Sequence, residues 1–166
     1  MKLANSIFIN RPAKTVWAFL ENPANMLLWN PKVKHVSPSS FSGPTQQGYR
    51  YAITYQMHEA SPATEFLAEF VRFEPCSRLV IRHTGGLSSH DRVIQEIYEL
   101  SERDSGTFLI QTIHITNSGI NIFLRILIWV IQRWGKPTGK PCLETLRDII
   151  ESDNAQQQDH AGLSRR

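Results

Sequence analysis

The stretch VWAFLENPANMLLWNP, Val16–Pro31, places two short apolar segments near the start of the chain and separates them with a turn signal. Asn22-Pro23 lies between the segments, and Asn30-Pro31 closes the second one. Because the residue before a proline is disfavoured in the helical region, each Asn-Pro pair predicts a helix boundary. We therefore predict two short helices, which can form a V that supports one end of a curved sheet.

The apolar spacing indicates how each arm of this V packs, since residues three and four apart share a helix face. We expect the following side chains to pack: Val16, Trp17 and Leu20 in the first arm, and Leu27, Leu28 and Trp29 in the second. Trp17 is interpreted as a structural residue of the core.

Strand patterns surround this stretch, with one segment at Ala4–Asn10 and six more between Lys32 and Thr116. The clearest alternation runs over Tyr49–Met57, where the odd-numbered residues are aromatic or apolar and the even-numbered ones are polar or small. One segment, EFLAEFVRFE, carries phenylalanines on both alternating faces, which a β-bulge would reconcile. Tight turns between these segments predict an antiparallel meander.

The end of the chain has a helical pattern. Ile120–Trp134 is apolar nearly all round, GKPTGKP interrupts the pattern at Gly135–Pro141, and CLETLRDIIES resumes it. Either one helix kinks at the interruption or two helices meet there. Strands flanked by helices indicate the α+β class, here a curved antiparallel sheet of about seven strands around a long C-terminal helix. We predict one domain over residues 1–152 and a disordered polar tail over residues 153–166.

Composition excludes several function classes. The chain has 166 residues and a net charge of +3, and its basic residues are scattered rather than massed, which argues against nucleic-acid binding. The two cysteines, Cys76 and Cys142, have no metal-ligand or redox spacing, so we expect reduced thiols in a cytoplasmic protein. The six histidines include no i, i+4 pair, and no metal or cofactor is predicted.

Four strings, in order, resemble the START-related lipid-binding and polyketide cyclase (SRPBCC) superfamily, which includes birch-pollen-allergen-like proteins. They are SIFINRPAKTVWAFLENPANMLLWNPKVKHV, FEPCSRLVIRHTGG, YELSERDSGTFLIQT and CLETLRDIIES, and together they cover about Leu3–Ser152. The resemblance implies a helix-grip fold with a deep cavity between sheet and long helix. It also implies a small hydrophobic or aromatic ligand in that cavity.

Within such a fold, inward-facing residues would line the cavity, where mostly apolar walls with a few polar groups are typical. The residues predicted to bind ligand are Trp29, Tyr51, Ile53, Tyr55, Met57, Phe70, Ile81, His83, Glu96, Tyr98 and Gln111. Plain core packing of the same side chains is the competing interpretation.

His83 and Glu96 are the candidates for chemistry. They share strand faces with apolar residues, so they turn inward if those faces do, and a buried imidazole or carboxylate needs a partner or a shifted pKa. A register slip of one residue would instead turn either side chain to solvent.

Three functions follow from these observations. The first is a carrier or sequestering protein for a lipid, polyketide, isoprenoid or quinone. The second is a cyclase or dehydratase-like enzyme, with Glu96 as acid or base, His83 as proton partner and Tyr51 or Tyr55 as hydrogen-bond donors. The third is an interaction module with a filled core.

The apolar run Ile120–Trp134 leaves a further alternative open. It is too short and too interrupted by charge to span a bilayer, which needs about 20 apolar residues. It either lies in the grip of the sheet or rests on a membrane surface as a peripheral contact.

Overall fold

The computed structural model describes residues 2–38, 43–56, 59–85, 93–116 and 142–163. The elements are β1 (Lys2–Ile9), α1 (Ala13–Leu20), a 3-10 turn (Pro23–Asn25), α2 (Met26–Trp29), β2 (Val33–Pro38), β3 (Arg50–Tyr55), β4 (Thr64–Glu74), β5 (Arg78–Gly85), β6 (Val93–Arg103), β7 (Gly106–Thr116) and α3 (Cys142–Leu163). This order of strand, two short helices, six strands and C-terminal helix is the predicted one.

The strands form one seven-stranded sheet in the order β1-β7-β6-β5-β4-β3-β2, and each neighbouring pair is antiparallel. From β2 to β7, strands that are consecutive in the chain are also neighbours in the sheet. β1 instead pairs with the last strand, β7. The predicted meander is therefore confirmed. α3 packs against β1 and α2 and buries Leu143, Leu146 and Ile150 along one face.

The Asn-Pro pairs act as predicted, because the asparagine side chains satisfy backbone groups at the helix ends. Asn22 Oδ1 accepts a hydrogen bond from the Ala24 amide at 3.1 Å, and Asn30 Oδ1 accepts one from the Lys32 amide at 3.2 Å. The Asn22 side chain thus caps the start of the 3-10 turn that follows α1, and Asn30 is the residue that ends α2.

The first arm of the V packs as expected, and Trp17 meets Phe73 edge-on with ring centroids 5.0 Å apart. The expectation for the second arm was wrong in part, since Leu27 and Leu28 are 44% and 60% exposed. The reason is geometric. α2 is a single turn, so Met26 and Trp29 (positions i and i+3) share the inner face and the two residues between them point outward.

The predicted bulge is present in β4, where the pairing with β5 shifts register between Phe70 and Arg72. Because of the extra residue, the inward-facing positions of β4 change from even-numbered to odd-numbered residues after Phe70. Phe66, Phe70 and Phe73 therefore all pack toward the core.

Two predictions concern the end of the chain. The helix α3 extends to Leu163. The domain limit at residue 152 and the disordered tail over residues 153–166 stay predictions. Ile120–Trp134 and the interruption at Gly135–Pro141 lie outside the described residues.

Candidate functional site

The inner face of the sheet carries the candidate polar residues. On β5, Leu79, Ile81 and His83 alternate inward and are 0%, 2% and 3% exposed. Glu96 on β6 and Gln111 on β7 turn inward in the same way and are 5% and 7% exposed. The side chains of His83 and Glu96 thus follow the apolar sets into the interior, which is one of the two placements that the sequence left open.

Strand register brings these side chains together. Tyr98 stands directly opposite Gln111 across the β6–β7 pair, and Glu96 stands opposite Ile81 across the β5–β6 pair. His83 is two residues beyond Ile81 and is therefore the diagonal neighbour of Glu96. Four residues from three strands meet in one place, and we refer to His83, Glu96, Tyr98 and Gln111 as the Glu96 cluster.

Glu96 is the acceptor at the centre of this cluster. Its Oε1 atom accepts a hydrogen bond from the Tyr98 hydroxyl at 2.5 Å and another from Gln111 Nε2 at 2.6 Å. Its Oε2 atom lies 3.5 Å from His83 Nε2. Because 3.5 Å exceeds the usual length of a strong hydrogen bond, Oε2 is held more loosely than Oε1.

Two opposing effects act on the charge of Glu96. Burial is the largest and acts to raise its pKa, but the interaction with His83 and the hydrogen bonds from Tyr98 and Gln111 together outweigh it. The pKa of Glu96 is therefore lowered, and the cluster holds an ionised carboxylate inside the protein.

The neighbouring tyrosines are held neutral. Burial first, and then the negative charge of Glu96, raise the pKa of Tyr51, Tyr55 and Tyr98 well above 10.0. A neutral phenol can donate its proton in a hydrogen bond, which is what Tyr98 does toward Glu96. Tyr51 Oη and His83 Nδ1 are buried and have no hydrogen-bond partner among the residues that the structure describes.

A pocket of about 840 Å³ opens beside the Glu96 cluster. Its walls come from the sheet, the residues after α2 and the first turns of α3. The lining residues are Leu3, Ala4, Asn5, Ser6, Ile7, Asn30, Lys32, Tyr55, Pro62, Thr64, Phe66, His83, Ile94, Glu96, Gln111, Ile113, Ile115, Cys142, Leu143, Glu144 and Arg147. About half of these lining residues are apolar, and the others are polar or charged.

The predicted ligand-binding residues divide into three groups. Four of them line the pocket: Tyr55, His83, Glu96 and Gln111. Three lie in the packed core and outside that lining: Tyr51, Ile53 and Phe70. Three more border a cleft too narrow for a water molecule: Trp29, Ile81 and Tyr98. Met57 lies outside the described residues.

Sequence reasoning missed two parts of the lining, which are β1 and the start of α3. The pairing of β1 with β7 places Leu3 opposite Ile113 and so beside the pocket. Alternation within β1 was a usable signal, but its partner strand was not known from the sequence. Cys142 and Arg147 line the pocket from α3, and no local pattern identified them.

Other site types are not found among the described residues. In those ranges no group of three or more histidine, cysteine or acidic side chains is placed to hold a metal ion. The same ranges contain no helix long and apolar enough to cross a membrane. Cys76 and Cys142 are both free thiols.

Comparison with solved structures finds the same fold in distant proteins. A Thermus thermophilus protein aligns with a TM-score of 0.66 at 14% identity, over 92% of this chain and 99% of its own. Ara h 8.0201 aligns with a TM-score of 0.62 at 9% identity, over 92% and 98% of the two chains. DynU16, a protein in the dynemicin biosynthetic locus, aligns with a TM-score of 0.58 at 16% identity, over 92% of this chain and 48% of its own. At these identities the likeness establishes the fold, and the predicted α+β helix-grip class is confirmed.

Comparison of sequences gives the family. None of the curated proteins compared with this sequence matches it. A family model described as "Polyketide cyclase / dehydrase and lipid transport" matches residues 1–148. Because that match spans most of the chain, the protein belongs to the polyketide cyclase / dehydrase and lipid transport family.

Proposed function

We propose that the protein binds a small hydrophobic or aromatic molecule in the pocket between the sheet and α3, as a carrier or sequestering protein. The ligand would be of the lipid, polyketide, isoprenoid or quinone type. The observation that carries the proposal is the pocket itself, whose volume of about 840 Å³ lies in the range of small-molecule sites. Apolar burial would supply affinity, at about 25 cal/mol for each Å² removed from water.

The polar groups of the pocket suit orientation of such a ligand. Tyr55, His83 and Gln111 reach the lining among apolar neighbours such as Phe66 and Ile113. Because Gln111 is already bonded to Glu96, the Tyr55 hydroxyl and the His83 ring are the groups best suited to contact a polar end of the ligand. The free thiols of Cys76 and Cys142 suit a reducing compartment, so a cytoplasmic location is part of the proposal.

Native mass spectrometry of the freshly purified full chain tests the carrier function. We expect a consistent additional mass that extraction identifies as an apolar molecule. Repeated absence of a bound mass, together with an unchanged melting temperature across a panel of lipids and polyketides, would contradict the proposal.

A matched pair of variants locates the binding. Ile113→Trp places extra bulk in the pocket from β7, whereas Leu67→Trp places the same bulk on the outer face of β4, where Leu67 is 49% exposed. We expect titration with a fluorescent apolar probe to show about tenfold weaker binding for the first variant, because the bulk displaces apolar contacts. Equal binding by both variants would place the probe elsewhere.

A second candidate, a cyclase or dehydratase-like enzyme, is favoured by the contact between His83 and Glu96. Both side chains line the pocket, and the 3.5 Å between Glu96 Oε2 and His83 Nε2 is short enough to tighten when a substrate binds. A buried acid-base pair in a cleft is a recognised mark of a functional site. Glu96 would accept a substrate proton and pass it from Oε2 to His83 Nε2, and His83 would then donate that proton back to the substrate.

Deuterium exchange separates the enzyme from the carrier. The molecule recovered with the protein is incubated with it in deuterated water and then weighed by mass spectrometry. An enzyme would build deuterium into the molecule or change its mass, and Glu96→Gln would abolish the change while leaving binding in place. Recovery of an unlabelled, unchanged molecule would leave the carrier function and exclude this chemistry for that molecule.

A further inference from the structure

The exposed residues of α2 and the lysines that follow it form a surface of their own. Leu27 and Leu28 are 44% and 60% exposed, and they are sequence neighbours, unlike the other exposed large hydrophobic residues among the described ranges. Lys32 lies in the turn after α2 and Lys34 lies at the start of β2, and both lysines are exposed. We call Leu27, Leu28, Lys32 and Lys34 the α2 tip.

The α2 tip adjoins the opening of the pocket. Asn30 and Lys32 line the pocket, and Lys32 belongs to the exposed part of that lining, together with Ala4, Asn5 and Pro62. Asn30 also lies close to the start of α3, with its Oδ1 atom 3.9 Å from Cys142 Sγ. A membrane or a protein that contacts the α2 tip would therefore lie beside the exposed part of the pocket lining.

The charge of this region has one sign in the sequence. No aspartate or glutamate occurs between Glu21 and Glu59, and this interval contains Lys32 and Lys34. Glu144 of α3 lines the same pocket but is half-buried. Two exposed leucines with two lysines beside them complement a surface that has negative charge on its outside and an apolar layer beneath.

We propose that the α2 tip docks the protein onto anionic lipid bilayers and presents the pocket opening to the membrane. Leucines enter the boundary between headgroups and acyl chains, and lysines pair with anionic headgroups. A protein partner is the weaker fit, because two leucines offer far less area than the roughly 800 Å² per side of a stable interface. The inference goes beyond the proposed function, since docking is measured with no pocket ligand added.

Cosedimentation of the full chain with vesicles tests the proposal. Vesicles of phosphatidylcholine alone are compared with vesicles of equal parts phosphatidylcholine and phosphatidylserine. We expect binding to the mixed vesicles, weak binding to phosphatidylcholine, and weaker binding as salt is added. Leu27→Ser with Leu28→Ser should weaken partitioning about tenfold or more. Each of Lys32→Gln and Lys34→Gln should weaken it about fivefold.

Matched controls come from exposed residues elsewhere. Leu67→Ser removes a leucine that is 49% exposed on β4, and Lys14→Gln removes an exposed lysine on α1. Both should bind vesicles as the unchanged protein does, and circular dichroism checks that every variant is folded. The proposal is overturned if the unchanged protein ignores the mixed vesicles or if the leucine variant binds them equally well. Loss of a concentration-dependent dimer in that variant, without vesicle binding, would assign the surface to a second copy instead.

Discussion

The inner face of the sheet has a filled half and a hollow half, and the same strands contribute to both. In the filled half, Leu79, Phe70 and Leu109 are fully buried in the core cluster. Two or four residues along the same strands, His83, Phe66 and Gln111 line the pocket. Along each of these strands, the inner face therefore changes from packed core to pocket wall, and the buried polar side chains lie in the part that forms the pocket wall.

This difference has a physical basis. A buried carboxylate loses solvation, and a core designed for packing alone is as stable or more stable with apolar residues in its place. Here, instead, three hydrogen bonds join Glu96, Tyr98 and Gln111 at the wall of a pocket. Polar groups in that position are useful to a ligand, whereas polar groups in the filled half would only be desolvated.

The largest effect should come from truncating the filled half. Phe70→Ala removes a fully buried ring and leaves a cavity, so we expect a loss of about 3–5 kcal/mol in the free energy of unfolding. Phe66→Ala, four residues earlier on the same strand, enlarges a space that already exists and should lose less than about half as much. Urea denaturation of both variants measures the difference, and equal losses would mean that the pocket is filled in solution.

The second largest effect concerns the negative charge of Glu96 at the pocket wall. Glu96→Gln removes the ionised acceptor of Tyr98 and Gln111, and we expect a loss of about 2 kcal/mol at neutral pH. The pKa of Glu96 is lowered on folding, so its contribution is fully present above the unfolded-state value near 4.5 and is lost as pH falls through the folded-state value. The gap between the unchanged protein and Glu96→Gln should therefore narrow in acid. A gap that is constant with pH would show that the charge of Glu96 has no part in it.

Two tyrosines allow a smaller and sharper test. Tyr98→Phe removes the hydroxyl that donates to Glu96 and should lower stability by about 1.5 kcal/mol, because hydrogen bonds to charged groups are the stronger ones. Tyr51→Phe removes a buried hydroxyl that has no partner within the described ranges, and it should leave stability unchanged or raise it. Thermal unfolding compares the two, and a loss in Tyr51→Phe equal to that in Tyr98→Phe would contradict the difference between the hydroxyls.

The sequence was sufficient for the fold because its signals are local. Asn22-Pro23 and Asn30-Pro31 mark helix boundaries through their own backbone and side-chain preferences, and alternation groups the residues of each strand by face. Alternation put His83 and Glu96 on the same faces as apolar residues, but it left open whether those faces turn inward. The predicted packing of Leu27 and Leu28 was wrong, because an apolar run of four residues does not specify which two of them face inward from a single helical turn.

The extent of the site was beyond the sequence for a different reason. Gln111 meets Tyr98 only through the register of β6 with β7, and register is a property of two distant segments. Whether Tyr51 lines a pocket or fills a core depends on the volumes of all its neighbours, which no pattern in one strand contains. The division between the filled and hollow halves is thus a result of packing.

The smallest effect lies on the opposite side of the sheet. Arg82 and His83 are adjacent on β5 and face opposite ways, so Arg82 pairs with Glu69 outside while His83 meets Glu96 inside. The hydrogen bond from Arg82, 2.7 Å long, is the main reason that the pKa of Glu69 is lowered. Because water screens this pair, Glu69→Gln should change the free energy of unfolding by less than about 1 kcal/mol, and the change should shrink in high salt. The loss in Glu96→Gln should be almost independent of salt, since its partners are shielded from solvent. If salt affected both variants alike, the inner carboxylate would be in contact with water, and the Glu96 cluster would belong to the surface of the protein rather than to the wall of a ligand pocket.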